Sequence, residues 1–211
     1  MNDKHPKMNL EQVSFYAKIA NISYILPKRR QEYIKDNLPN LVYDMVDSDE
    51  HQAVLLDNSK KIVYISVRGT ELGLGYKRAF EDLIQDSLVS LRLTLNSRRF
   101  NHIEKVLLRI MKKYPRYKIV LSGHSLGSSI SSELSKKYNI ESHNFSTGSG
   151  RRSLMDFDPR EKQKYDKNKI HYYHTPEFDL LSSSSKILPG KHYYIPKKPG
   201  LSSHSLNNFI L

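Results

Sequence analysis

The sequence contains no cysteine, and this absence excludes disulfides, a cysteine nucleophile and thiolate metal sites. It contains no run of 18 apolar residues, so we predict no membrane-spanning helix. The first ten residues, MNDKHPKMNL, have neither an apolar core nor a small-residue cleavage site. We therefore predict no secretory signal and an intracellular protein, with a cytoplasmic, membrane-peripheral or virion-associated location as the alternatives.

Acidic residues are few relative to basic ones. The chain has 34 Lys+Arg against 22 Asp+Glu, a net charge of +12. This charge predicts attraction to an anionic partner: lipid headgroups, nucleic acid or an acidic protein. Lysines that only keep the surface soluble would give the same balance. With 211 residues, 38% of them hydrophobic, the chain is predicted to form a single domain over residues 1–211.

Apolar segments of strand and helix type alternate along the chain. Two short runs, Ala53–Leu56 and Ile62–Val67, predict a hairpin. Helices are predicted at Met8–Leu26, Lys28–Asp36, Ala79–Leu95, Ile103–Tyr114 and Leu126–Tyr138; further strands are predicted at Leu41–Val46, Tyr117–Leu121, Ser142–Phe145, Ile170–His174 and Tyr193–Ile195. The pattern favours an α/β fold with a mixed, mostly parallel sheet and helices on both faces.

One motif carries chemistry. Gly123-His-Ser-Leu-Gly127 has the form G-x-S-x-G and lies between a predicted strand and a predicted helix. A serine there sits on a sharp turn with its hydroxyl above the sheet edge, which makes Ser125 the candidate nucleophile. The backbone N–H of Leu126, at the helix N-terminus, is a candidate oxyanion donor. An ordinary glycine-rich turn is the alternative.

A serine nucleophile needs a base, and the base needs an orienting carboxylate, in the chain order Ser, Asp or Glu, His. Asp179 follows a late predicted strand and is the preferred carboxylate, with Glu177 as the alternative. His204 lies in a small, polar loop after the last predicted strand and is the preferred base. His192 begins that strand, and we interpret it as structural.

The turn after Ile62–Val67 reads Arg68-Gly69-Thr70. Thr70 offers a backbone N–H and a hydroxyl, so it is a candidate second oxyanion donor. An ordinary strand-exit turn explains the same residues equally well.

Three motifs, taken in order, resemble those of the class 3 (fungal-type) lipases: Val67-Arg-Gly-Thr70, Asp82-Leu-Ile-Gln-Asp86 and Gly123-His-Ser-Leu-Gly127. The resemblance implies an α/β-hydrolase fold, a Ser-Asp-His triad, no cofactor or metal, and Thr70 as the oxyanion residue. It also implies a lid over Glu71–Phe100. Three features depart from the family pattern: Ser128 replaces a glycine, Leu180-Leu181 replaces Pro-Val after the aspartate, and the Asp-to-His interval is short.

These features predict a serine lipid-ester hydrolase of the triacylglycerol lipase or phospholipase A type. A lipid or phospholipid ester would be the substrate, and the positive charge favours peripheral contact with an anionic membrane surface. A basic binding protein with a catalytically inactive hydrolase fold is the alternative. No helix carries the aromatic and basic stripe of a base-stacking surface, so no specific nucleic acid is expected. His171 and His174 are three residues apart on a predicted strand, and this spacing argues against a shared metal.

Overall fold

The computed structural model describes residues 9–69, 98–147, 171–179, 188 and 190–211. The described helices are α1 (Leu10–Ile22), α2 (Pro27–Asn37), α3 (Arg98–Lys113), α4 (Leu126–Tyr138) and a 3-10 turn (Leu206–Asn208). The described strands are β1 (Val42–Asp44), β2 (Gln52–Asp57), β3 (Ile62–Val67), β4 (Lys118–His124), β5 (Glu141–Phe145), β6 (His171–Pro176) and β7 (Lys191–Ile195).

The seven strands form one sheet in the order β1-β2-β3-β4-β5-β6-β7. Strands β1, β2 and β3 pair antiparallel, and β3 to β7 pair parallel. The predicted mixed, mostly parallel sheet is therefore confirmed. Because β3 to β7 run in one direction, the loops that leave them emerge at a single edge, where ligands bind in open α/β sheets.

Alternating side chains of the strands supply two hydrophobic cores. On one face, Ala53, Leu55 and Tyr64 pack with α1, α2 and the 3-10 turn. On the other face, Val54, Ile65 and other strand residues pack with α3 and α4. This alternation is the period of two that a strand imposes, so both faces of the sheet are covered by helices as predicted.

Several boundaries differ from the prediction, and those between α1 and α2 do so for local reasons. Helix α1 ends at Ile22 rather than Leu26, because Ser23 caps it through a hydroxyl bond to the Ala20 carbonyl oxygen. Helix α2 begins at Pro27 rather than Lys28, since the first helical position needs no N–H donor. These changes leave Tyr24 in the turn between the two helices.

Strand β1 ends at Asp44 rather than Val46. The Asp44 carboxylate accepts the backbone N–H groups of Val46 and Asp47, which turns the chain out of the sheet. The predicted helix Ala79–Leu95 and nearly all of the predicted lid lie outside the described residues. No described helix combines the length and apolar character needed to cross a membrane.

Candidate active site

Strand β4 leads through Ser125 directly into α4, and the turn between them has an unusual backbone. Ser125 adopts φ 57° and ψ −124°, a backbone conformation that residues other than glycine rarely adopt. Its N–H donates to the Phe145 carbonyl oxygen at 3.0 Å, which ties the turn to the end of β5. The serine is thus held at the carboxyl edge of the sheet on a strained elbow, as the motif predicts.

The elbow is compact because three chain segments contact one another at glycines, which have no Cβ to keep the backbones apart. A Cβ on Gly127 would lie 2.2 Å from the Val67 carbonyl oxygen, and one on Gly123 would lie 2.5 Å from the Gly127 carbonyl. Ser128, which departs from the family pattern, is fully buried, and its hydroxyl donates to the Ser125 carbonyl oxygen at 2.7 Å. This bond satisfies the extra hydroxyl, so a serine fits where a glycine is usual.

The structure brings Ser125, His204 and Asp179 together. His204 Nε2 lies 3.0 Å from Ser125 Oγ, and His204 Nδ1 lies 3.1 Å and 3.3 Å from the two Asp179 carboxylate oxygens. Asp179 is 5% exposed and His204 9% exposed, so the acid and base are largely shielded from water. In this order the Ser125 hydroxyl can donate to Nε2 while Nδ1–H donates to the carboxylate.

The alternative residues differ from Asp179 and His204 in their surroundings. Glu177 has an exposed side chain. His192 donates from Nε2 to the Leu188 carbonyl oxygen at 2.8 Å and stacks on the Tyr173 ring. These contacts fit the structural role predicted for His192. Asp156, Asp158 and Asp166, acidic residues that also follow Ser125 in the chain, lie outside the described residues.

Of the two predicted oxyanion donors, Leu126 lies within the described residues and Thr70 does not. Leu126 is the first residue of α4, so its N–H belongs to the turn whose donors have no intrahelical acceptor. Thr70 lies outside the described residues, but its neighbour Gly69 is described at the end of β3. A guanidinium N–H of Arg99, in α3, donates to the Arg68 and Gly69 carbonyl oxygens at 2.6 Å and 3.2 Å.

Sequence reasoning missed two polar residues beside the elbow. His124, the variable residue of the motif, donates from Nε2 to the His204 carbonyl oxygen at 2.8 Å. Its Nδ1 lies 3.2 Å from the Tyr24 hydroxyl, which also accepts the Gly69 N–H at 3.0 Å. Removal of its ring from water, together with the nearby His204, lowers the pKa of His124 to about 3. The only available signal was a histidine next to the nucleophile; Tyr24 read as an apolar helix position.

Three further histidines, His143, His171 and His174, lie buried on strands β5 and β6. His143 Nε2 contacts the Glu141 carboxylate at 3.0 Å, and His143 Nδ1 contacts His174 Nε2 at 3.3 Å. His171 lies on the opposite face of β6 from His174 and contacts Ser135 of α4. Among the described residues, no group of three possible ligands is placed to hold a metal ion.

Comparison with known proteins shows the family and the fold of the chain. The family model for "Lipase (class 3)" matches residues 54–169, which is more than half of the chain and includes the elbow. No curated protein matches the sequence at a significant level.

Several solved lipase structures share the fold. Lip2 lipase from Yarrowia lipolytica is 18% identical, covers 95% of this chain and 84% of its own, and has a TM-score of 0.56. The lipase from Rhizopus microsporus var. chinensis is 13% identical, with coverages of 95% and 82% and a TM-score of 0.58. The mono- and diacylglycerol lipase from Aspergillus oryzae is 17% identical, with coverages of 96% and 85% and a TM-score of 0.55. The fold is that of the α/β-hydrolases, and the chain belongs to the class 3 lipases, a family of lipid-ester hydrolases.

Proposed function

We propose that this chain cleaves acyl esters of lipids with Ser125 as nucleophile, His204 as general base and Asp179 as the carboxylate that orients the base. The observation that carries the proposal is the continuous contact from Ser125 Oγ through the His204 ring to Asp179. Family membership supplies the substrate class, a lipid ester. A single domain over residues 1–211 carries this chemistry in our proposal.

The reaction follows from the contacts. Ser125 Oγ attacks the ester carbonyl carbon while its proton passes to His204 Nε2, and the Asp179 carboxylate stabilises the imidazolium that forms. The oxyanion accepts hydrogen bonds from the Leu126 N–H and from Thr70. The tetrahedral intermediate expels the alcohol, which takes the proton from His204. Water then attacks the acyl-enzyme with His204 again as base, releasing the fatty acid and restoring Ser125.

Within the lipid esters, the charge of the chain favours phospholipids over triacylglycerols. A net charge of +12 attracts the protein to an anionic membrane surface, where phospholipid esters are concentrated. We therefore propose phospholipase A activity at such a surface, with triacylglycerol hydrolysis as the second candidate.

A fluorophosphonate probe and a p-nitrophenyl ester test the proposal together. We expect the wild-type protein to be labelled and to turn over the ester, and Ser125→Ala to do neither. The matched control is Ser59→Ala, which removes a hydroxyl from the β2–β3 turn, at the opposite edge of the sheet. An unlabelled, inactive wild-type protein would instead favour a binding protein that retains the hydrolase fold. Substantial turnover by Ser125→Ala would show that another residue is the nucleophile.

A further inference from the structure

The Tyr24 hydroxyl lies between two chain segments that carry proposed catalytic groups, and the His124 ring extends the contact to a third, the His204 loop. The hydroxyl is 3.0 Å from the Gly69 nitrogen, 3.2 Å from His124 Nδ1 and 3.3 Å from the His124 carbonyl oxygen. Gly69 precedes the oxyanion candidate Thr70, and His124 precedes the nucleophile. The hydroxyl itself comes from the turn after α1, far from all of them in sequence.

The direction of each hydrogen bond follows from the acceptor at its far end. The His204 carbonyl oxygen can only accept, so His124 Nε2 carries the proton of that 2.8 Å bond. A neutral ring then leaves Nδ1 as an acceptor, and the pKa of about 3 keeps His124 neutral across the working range of a base. Tyr24 therefore donates its proton to the His124 residue, and its oxygen lone pair accepts the Gly69 N–H.

We propose that Tyr24 and His124 are positioning residues that hold the oxyanion turn and the base loop in register with the nucleophile elbow. The inference rests on the proposed function, because the segments it joins are those that carry Thr70, Ser125 and His204. Neither residue touches the ester in this scheme. Tyr24 acts through Gly69, and His124 acts through the backbone of His204.

The fit around Gly69 supports a positioning role. A Cβ there would lie 2.3 Å from the Tyr24 hydroxyl and 2.5 Å from the His124 carbonyl oxygen. The turn can therefore lie this close to Tyr24 and His124 only because residue 69 is glycine. On its other side, Arg99 holds the Arg68 and Gly69 carbonyl oxygens. The backbone just before Thr70 is thus fixed at its N–H by Tyr24 and at its carbonyl by Arg99.

The first test is Tyr24→Phe, with Tyr33→Phe as the matched control. Tyr33 is a neighbouring tyrosine whose hydroxyl accepts a bond from Asn21 and does not reach the site. We expect Tyr24→Phe to lower kcat on a soluble p-nitrophenyl ester by about tenfold to a hundredfold, since misplacement by about 1 Å can cost that much. KM should stay within about twofold, because substrate-binding groups are unchanged. Wild-type kcat in Tyr24→Phe, or an equal loss in Tyr33→Phe, would overturn the assignment of Tyr24.

The second test compares His124→Gln with His124→Leu. Glutamine can still donate to the His204 carbonyl oxygen, whereas leucine cannot. We expect His124→Leu to lose kcat at little change in KM, and His124→Gln to recover most of that loss. Equal losses in the two variants, or none in either, would show that the bond to His204 does not matter and would overturn the assignment of His124.

Titration with a fluorophosphonate separates this inference from the proposed function. An active, labelled wild-type protein whose Tyr24 and His124 variants keep wild-type kcat contradicts the positioning role alone. A wild-type protein that neither labels nor turns over ester removes both proposals. Thermal unfolding of each variant identifies any that fails to fold, and the test then rests on those that do fold.

Discussion

Asp179 and His204 are 25 residues apart in sequence, and their side chains meet at 3.1 Å in a site shielded from water. The short interval is sufficient because β6 and β7 are adjacent and parallel. Asp179 leaves the end of β6, and one further strand and a loop return the chain to the same edge. A compact C-terminal segment can therefore bring this acid and base together.

If Asp179 orients the base, Asp179→Asn should lower kcat by about four orders of magnitude, because an amide cannot stabilise the imidazolium and favours the wrong tautomer. Glu177→Gln should change kcat little, since the Glu177 side chain is exposed. Both constants can be measured on a p-nitrophenyl ester. A large loss of kcat in Glu177→Gln with a small loss in Asp179→Asn would show that Glu177 is the carboxylate that orients the base.

We expect alanine variants of the two late histidines, His204 and His192, to lose kcat to different extents. His204→Ala should cost several orders of magnitude in kcat, because its Nε2 lies 3.0 Å from Ser125 Oγ. His192→Ala should cost little, because His192 donates to the Leu188 carbonyl oxygen and stacks on the Tyr173 ring. Residues of a triad act as a unit, so adding Ser125→Ala to His204→Ala should cause almost no further loss. The reverse ranking of the two single variants would assign the base to His192.

Thr70 can be tested although it lies outside the described residues. Thr70→Val removes the hydroxyl and keeps the backbone N–H, so kcat should fall by about a hundredfold while some activity remains. The measurement is kcat on the same ester, with thermal unfolding of the variant as a check on folding. Wild-type kinetics would return Thr70 to the ordinary-turn interpretation.

The net charge predicts how the protein meets membranes. Sedimentation with anionic phospholipid vesicles should exceed sedimentation with neutral ones, and added salt should reduce the difference, because headgroup attraction is screened beyond about 10 Å at 0.1 M salt. Equal binding to both vesicle types would remove the charge-based argument for phospholipids.

The buried histidines predict loss of stability in acid. Burial lowers the pKa of His171 to about 4 and that of His174 well below its ordinary value of 6.5. Below pH 6.5 the unfolded chain takes up protons that the folded chain does not, so the free energy of unfolding falls as the pH drops from 6.5 towards 4.

Urea unfolding at pH 7.5 and pH 5 measures this effect, with His174→Gln as the variant that cannot titrate. The difference in unfolding free energy between the two pH values should be smaller for His174→Gln than for the wild-type protein. An unchanged difference would mean that other groups dominate the acid sensitivity.

The sequence predicted the fold and the site best where a feature depends on neighbouring residues and on the order of the elements along the chain. The glycines of the elbow and the alternating strands predicted the sheet, the nucleophile turn and the position of Ser125. The Tyr24–His124 contact could not be predicted, because it joins residues 100 positions apart through a hydroxyl on a residue with helical apolar spacing. Ser128 likewise looked like a departure until its hydroxyl was seen to bond to the Ser125 carbonyl oxygen.

The positive φ of Ser125 has a consequence for evolution under selection for stability. A side chain in this backbone region costs about 1–3 kcal/mol, whereas glycine adopts it without a Cβ clash and gives back only about 0.5–1 kcal/mol in chain entropy. Replacing Ser125 with glycine would therefore make the fold more stable and leave it without a nucleophile. Stability and reactivity make opposite demands on this one position.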